Sequence, residues 1–229
     1  MSLVVALGLT AETAVFTLAG FFWLRSHGFT FAEAGAAAIL MFFMAISLIH
    51  QIDFFVGSPW PAMVLELIAL VTVLAVGLRR LPSLVGSCLP IGNLIHQELF
   101  PSLTIATAWG VMVILVGIGW WSPDIRPPGV GVIGWAYGSL SLLADHHPIA
   151  PLNAAALFYH TTRFGLPPDA CGFGLLAHMA VGFSTYALAR RYAWPPMALT
   201  ITLMVLSMPR LVMLALHPCA ELISASAIA

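Results

Sequence analysis

Lysine is absent from the chain, and its eight basic residues, all arginine, stand against nine acids for a net charge of −1. No basic run could neutralise a row of phosphates, which argues against nucleic acid as a partner. The three cysteines, Cys88, Cys171 and Cys219, are too few and too scattered for a disulfide framework or a zinc site of their own. Charge of either sign is scarce: 7% of residues are charged, where a soluble domain carries roughly 25%. A soluble fold is thereby excluded. What is present instead is apolar, 61% of 229 residues. At about 20 residues per spanning helix the length provides some six spans and one loop region, with no room for a soluble catalytic domain.

Hydropathy places the spans near residues 3–23, 32–54, 60–78, 101–121, 172–189 and 195–215. The expected fold is all-α: a single transmembrane domain over 1–229, with short interfacial helices in an outward loop, 122–171. The first helix carries Glu12, no basic segment before it and no small-residue cleavage pattern after it, so it is expected to stay in the mature protein. Arg25, Arg79, Arg80, Arg190 and Arg191 fall on one side of this arrangement and only Arg126 and Arg163 on the other. The arginine-rich side is read as cytoplasmic, with the bacterial inner membrane as the expected location. The stretch from Ser83 to Phe100, interrupted by Pro90, Asn93, His96 and Glu98, is expected to lie along the cytoplasmic interface.

Trp120 and Trp121, which suit a membrane interface, open the outward loop, followed by Asp124, Arg126, Pro127 and Pro128. Two helix-like stretches come next, Val130 to Ala144 and Pro151 to Arg163, separated by Asp145-His146-His147-Pro148. Each is short and apolar on part of its circumference, the pattern of a helix lying on the outer surface. Leu48-Ile49-His50-Gln51 recurs as Leu94-Ile95-His96-Gln97, but the segments between do not match, and chance explains the echo better than duplication.

Several residues could carry chemistry. An acid just past a helix C-terminus, as at Asp124, is disfavoured by the helix dipole, a small cost that hints at use; a solvated pair with Arg126 is the plain alternative. Asp145, His146 and His147 could offer metal ligands with His160, although adjacent residues rarely converge on one ion and a polar turn is the better reading. His50, His96, His160 and His178 lie near membrane depth, yet their spacing does not require the facing pair that haem needs, and no cofactor is assigned. Glu12, Glu66 and Arg210 fall within spans, where an ionisable group faces a partner or a polar cavity; structural ion pairing is an equal reading for the two acids. Cys171, at a helix start that would activate a thiol, precedes Arg210 and His217 in an order similar to exosortase-type transpeptidases. Gly172-Phe173 and the early His217 depart from that pattern.

From about Ala106 onward the order of elements resembles the amino-terminal part of the GT-C superfamily, polytopic glycosyltransferases that use polyprenyl-phosphate sugars. The likeness consists of a span, an outward loop opening on Asp124, two surface helices, and a span ending Ala187-Leu188-Ala189-Arg190-Arg191-Tyr192. A tight turn and a helix ending Leu206-Ser207-Met208-Pro209 follow, with Glu221 twelve residues beyond the proline. The resemblance implies inverting sugar transfer on the outer face, with Asp124 as base, Glu221 as supporting acid, and Arg126 and Arg163 holding the lipid phosphate. Ile125-Arg126-Pro127-Pro128-Gly129 stands where the family commonly has an acid-aromatic-histidine pattern, and its further spans have no counterpart before Ala229. A shortened relative that has lost activity, or one completed by other membrane subunits, is therefore expected beside an active enzyme. The rival expectation is a non-catalytic accessory subunit of a larger membrane complex.

Overall fold

The computed structural model describes residues 2–56, 60–86, 100–120, 157, 159–161, 163–164, 172–215 and 226. Its named elements are all helices: α1 (Ser2–Ser26), α2 (Phe31–Val56), α3 (Trp60–Gly86), α4 (Phe100–Trp120), α5 (Phe173–Ala189), α6 (Pro195–Leu206) and α7 (Pro209–Ala215). Helices α1, α2 and α3 are each long and apolar enough to cross a membrane. Taken together, α6 and α7 pass the same test as a fourth crossing, bent by 65°.

The six expected spans fall largely on described helices, of which three, or four with the bent pair, are long and apolar enough to cross a membrane, α5 being shorter at 17 residues; two further differences stand out. The stretch 195–215 is two helices rather than one, because Pro209 has no N–H for the preceding turn and its ring crowds that turn's carbonyl. Helix α3 runs on to Gly86, so the start of the expected interfacial stretch continues the preceding helix.

The α1–α2 turn closes both helix ends locally. Gly28, at φ +88°, occupies the left-handed conformation that glycine adopts without steric cost. Its N–H donates to the Arg25 carbonyl at 3.1 Å, and the Phe29 N–H reaches back to the Leu24 carbonyl at 3.4 Å, the paired bonds of a Schellman ending. Thr30 then caps α2 reciprocally: its N–H donates to Glu33 Oε2 at 3.0 Å, and the Glu33 N–H points to Thr30 Oγ1 at 3.4 Å.

A hairpin this tight sets α1 against α2, and α3 packs across both. Contact between α1 and α3 depends on small residues. A Cβ on Gly77 would lie 2.7 Å from Ala19 Cβ and 2.9 Å from Ala19 Cα, so the backbones approach as closely as in other small-residue membrane contacts.

Aromatic side chains fill the centre. Phe42 meets Phe16 edge-on at 5.5 Å between ring centroids, and Phe43 meets Phe173 at 90° and 6.1 Å. Leu157 is fully buried in this cluster. Leu157, His160 and Thr161, expected to lie on the outer surface, are instead inside the bundle and inaccessible. A second cluster joins Ile105 of α4, Phe183 and Tyr186 of α5, and Leu206 of α6.

Candidate functional site

The inward stripe of α2 reads Ile39, Phe42, Phe43, Ile46, His50, a helical spacing whose last member is a histidine with no exposed surface. On α3 the buried stripe passes through Ala62 and Glu66. His50 lies six residues before the end of α2 and Glu66 six after the start of α3, so each sits about 9 Å in from its helix end at 1.5 Å per residue. His160 comes from the chain between α4 and α5, and Arg163 follows three residues on in a turn, its N–H donating to the Tyr159 carbonyl at 3.0 Å. Three chain segments thus bring polar groups to one buried point, with Glu12 of α1 at its edge.

The geometry is close. His50 Nε2 lies 3.0 Å from Glu66 Oε1, His160 Nδ1 lies 3.0 Å from the same oxygen, and the two ring nitrogens are 3.1 Å apart. The guanidinium of Arg163 donates through Nη2 to the other carboxylate oxygen, Glu66 Oε2. Glu12 Oε2 stands 3.9 Å from His160 Nε2, beyond hydrogen-bond reach. Tyr159 packs edge-on to His50 at 5.5 Å between centroids. Buried charge is tolerated in an apolar bundle only when partnered, and Arg163 supplies the partner for Glu66.

Two polar features remain open. Arg163 Nε and Nη1 are buried and find no acceptor among the described residues, and His160 Nε2 likewise has no hydrogen-bond partner there. Two carboxylates, Glu12 and Glu66, face one guanidinium among the described residues. The three atoms His50 Nε2, His160 Nδ1 and Glu66 Oε1 form a set of ordinary metal donors.

Of the residues singled out from sequence, Arg163, Glu66, Glu12, His50 and His160 are brought together here. Asp124, Arg126 and Glu221 lie outside the described residues, as do Asp145, His146, His147, His96, Cys88, Cys171, His217 and Cys219. Arg210 is exposed at the start of α7. A haem between His50 and His160 does not fit their spacing, because two axial nitrogens on one iron stand about 4 Å apart. His178 is a core histidine: its Nε2 donates to the Leu206 carbonyl at 3.1 Å. In the sequence His50 and Glu66 stand out separately, and the signal that could have paired them is the inward register of each on its helix.

A second polar patch sits near the opposite helix ends. A cavity of about 300 Å³ is bounded by Thr30, Glu33, Ser102, Tyr186, Arg190 and Arg191, and Arg191 reaches Glu33 at 3.4 Å. Its exposed ion pair contributes little, and it shares no side chain with the buried cluster.

Comparison with protein-family models, curated proteins and solved structures finds no match to this chain.

Proposed function

We propose that the chain is a six-span protein of a bacterial inner membrane that engages a polyprenyl-phosphate-linked sugar from its extracytoplasmic side, in the manner of GT-C glycosyltransferases. The observation that supports this is Arg163. Its guanidinium is buried and pinned by Glu66 through one nitrogen, with the donors on Nε and Nη1 lacking an acceptor among the described residues. Each such donor costs about 1–3 kcal/mol while unsatisfied, and a phosphate oxyanion is the acceptor that a planar, permanently charged guanidinium favours. Arginine sidedness puts this end of the bundle outward, where the loop carboxylate Asp124 would take a proton from the acceptor hydroxyl as Glu221 supports it and Arg126 joins Arg163 on the departing phosphate.

A second reading, an accessory subunit of a larger complex, is favoured by α3. Val64, Leu67, Ile68, Val71 and Leu74 on its outer face are all exposed, and that face suits a neighbouring subunit as well as lipid. Native mass spectrometry of the chain in mild detergent tests both. A bound polyprenyl phosphate that is lost in Arg163→Lys or Asp124→Asn, with helicity unchanged, supports the first reading. Stoichiometric protein subunits without such a lipid establish the second and sink the first.

A further inference from the structure

We infer that His50 Nε2, His160 Nδ1 and Glu66 Oε1 hold a divalent transition-metal ion. Three atoms at mutual separations of 3.0, 3.0 and 3.1 Å make three edges, each needing one hydrogen to be attractive. The carboxylate brings none, and each ring nitrogen brings at most one. If both rings donate to Glu66 Oε1, two N–H groups face one another across the third edge. If one ring donates to the other, an edge to the carboxylate has no hydrogen. No tautomer of two neutral imidazoles puts a hydrogen on every edge, and the one further donor close by, Arg163 Nη2, stands 3.4 Å from His160 Nδ1 and is held by Glu66 Oε2; a cation that draws three lone pairs inward satisfies all three edges.

Size agrees. A triangle of this edge has its centre about 1.7–1.8 Å from each corner, so an ion at the usual 2.0–2.2 Å from nitrogen and oxygen sits about 1 Å above the plane, leaving its far side open. Two imidazoles and one carboxylate on one face of an ion suit zinc or ferrous iron, while calcium and magnesium prefer all-oxygen shells.

Neighbouring groups are placed as outer supports. Arg163 holds Glu66 Oε2 and so leaves Oε1 to the ion. With Nδ1 of His160 on the metal its proton must sit on Nε2, the nitrogen that points towards Glu12 at 3.9 Å; a carboxylate behind a ligating imidazole is a recurring arrangement.

This inference does not rest on the lipid-phosphate reading, since metal uptake and lipid retention are read by separate measurements. The test is to titrate Co(II) into the full chain in mild detergent, following its visible ligand-field absorption, and to record zinc-edge X-ray absorption on the zinc-loaded protein. One equivalent of Co(II), displaced by zinc and weakened at least tenfold by His50→Ala at unchanged helicity, is expected, together with two imidazoles per zinc. Absence of Co(II) absorption in the folded wild type, binding unchanged by His50→Ala, or fewer than two imidazoles per zinc overturns the proposal. Should His50→Ala fail to fold, the Co(II) titration and imidazole count on the wild type decide it.

Discussion

His50 and His160, 110 positions apart, meet with ring nitrogens 3.1 Å from one another and both side chains fully buried. That contact ties the C-terminal end of α2 to a residue from a distant part of the chain, and Glu66 completes it from α3. Polar groups at such a seam fix register, because a shift of one residue on any of the three elements turns its group away from the others.

Removing Glu66 should therefore be costly. Glu66→Ala leaves the Arg163 guanidinium buried without its acceptor, and loss of one partner of a buried pair costs about 3–5 kcal/mol. Glu66→Ala combined with Arg163→Met takes out both charges and should recover most of that loss. Thermal unfolding of the wild type, both single variants and the double variant in one detergent measures the coupling. Additive effects would show that the two side chains do not act as a pair.

The contact of α1 with α3 makes a second expectation. Gly77→Ala places a methyl group 2.7 Å from Ala19 Cβ and 2.9 Å from Ala19 Cα. Backbone atoms cannot swing aside as a long side chain can, so the helices must separate. A loss of about 1–3 kcal/mol is expected, against little change for Gly110→Ala, where nothing lies within 4 Å. Equal melting temperatures for the two variants would count against the close approach.

Helices and their approximate bounds were legible because a run of about 20 apolar residues has few alternatives in lipid. Glu12 and Glu66 were legible as costly residues, and His50 and His160 as possible ligands, each on its own. Their meeting was not. It depends on Leu157 and His160 lying inside the bundle rather than on its surface, and a short stretch with one apolar face reads alike whether that face meets lipid or the bundle. Leu157 settles it by filling a space beside Phe42 and Phe173, a three-dimensional fact without periodic signature. The break inside 195–215 had its signal in Pro209, which hydropathy averaging passed over.

The turn between α1 and α2 should be sensitive at Thr30. Thr30→Ala removes the oxygen facing the Glu33 N–H and one of the two Thr30 bonds to Glu33 Oε2. Loss of a capping threonine costs about 0.5–2 kcal/mol, and Thr30→Ser should restore most of it. Amide hydrogen exchange over residues 30–34 gives a local readout: faster exchange in the alanine variant alone is expected. Exchange unchanged there would mean that the cap contributes nothing to holding the first turn of α2.

His178 makes the last case, and it depends on the break after α6. The bend at Ser207–Met208 interrupts the helical ladder, so carbonyls in the final turn of α6 must find other donors. His178 Nε2 donates to the Leu206 carbonyl at 3.1 Å from inside the bundle. His178→Leu keeps an apolar group of similar bulk but removes the donor, and leaving the buried carbonyl unsatisfied should cost about 1–3 kcal/mol. His178→Gln, which can still donate, should cost less. Pro209→Ala removes the steric reason for the break and lets α6 run on, so that the Arg210 N–H can reach the same carbonyl. If the histidine serves the broken ladder, His178→Leu should be milder in the Pro209→Ala background than in the wild type. If it costs as much in both, the side chain acts through packing alone, and the carbonyl bond does not contribute to holding the bend.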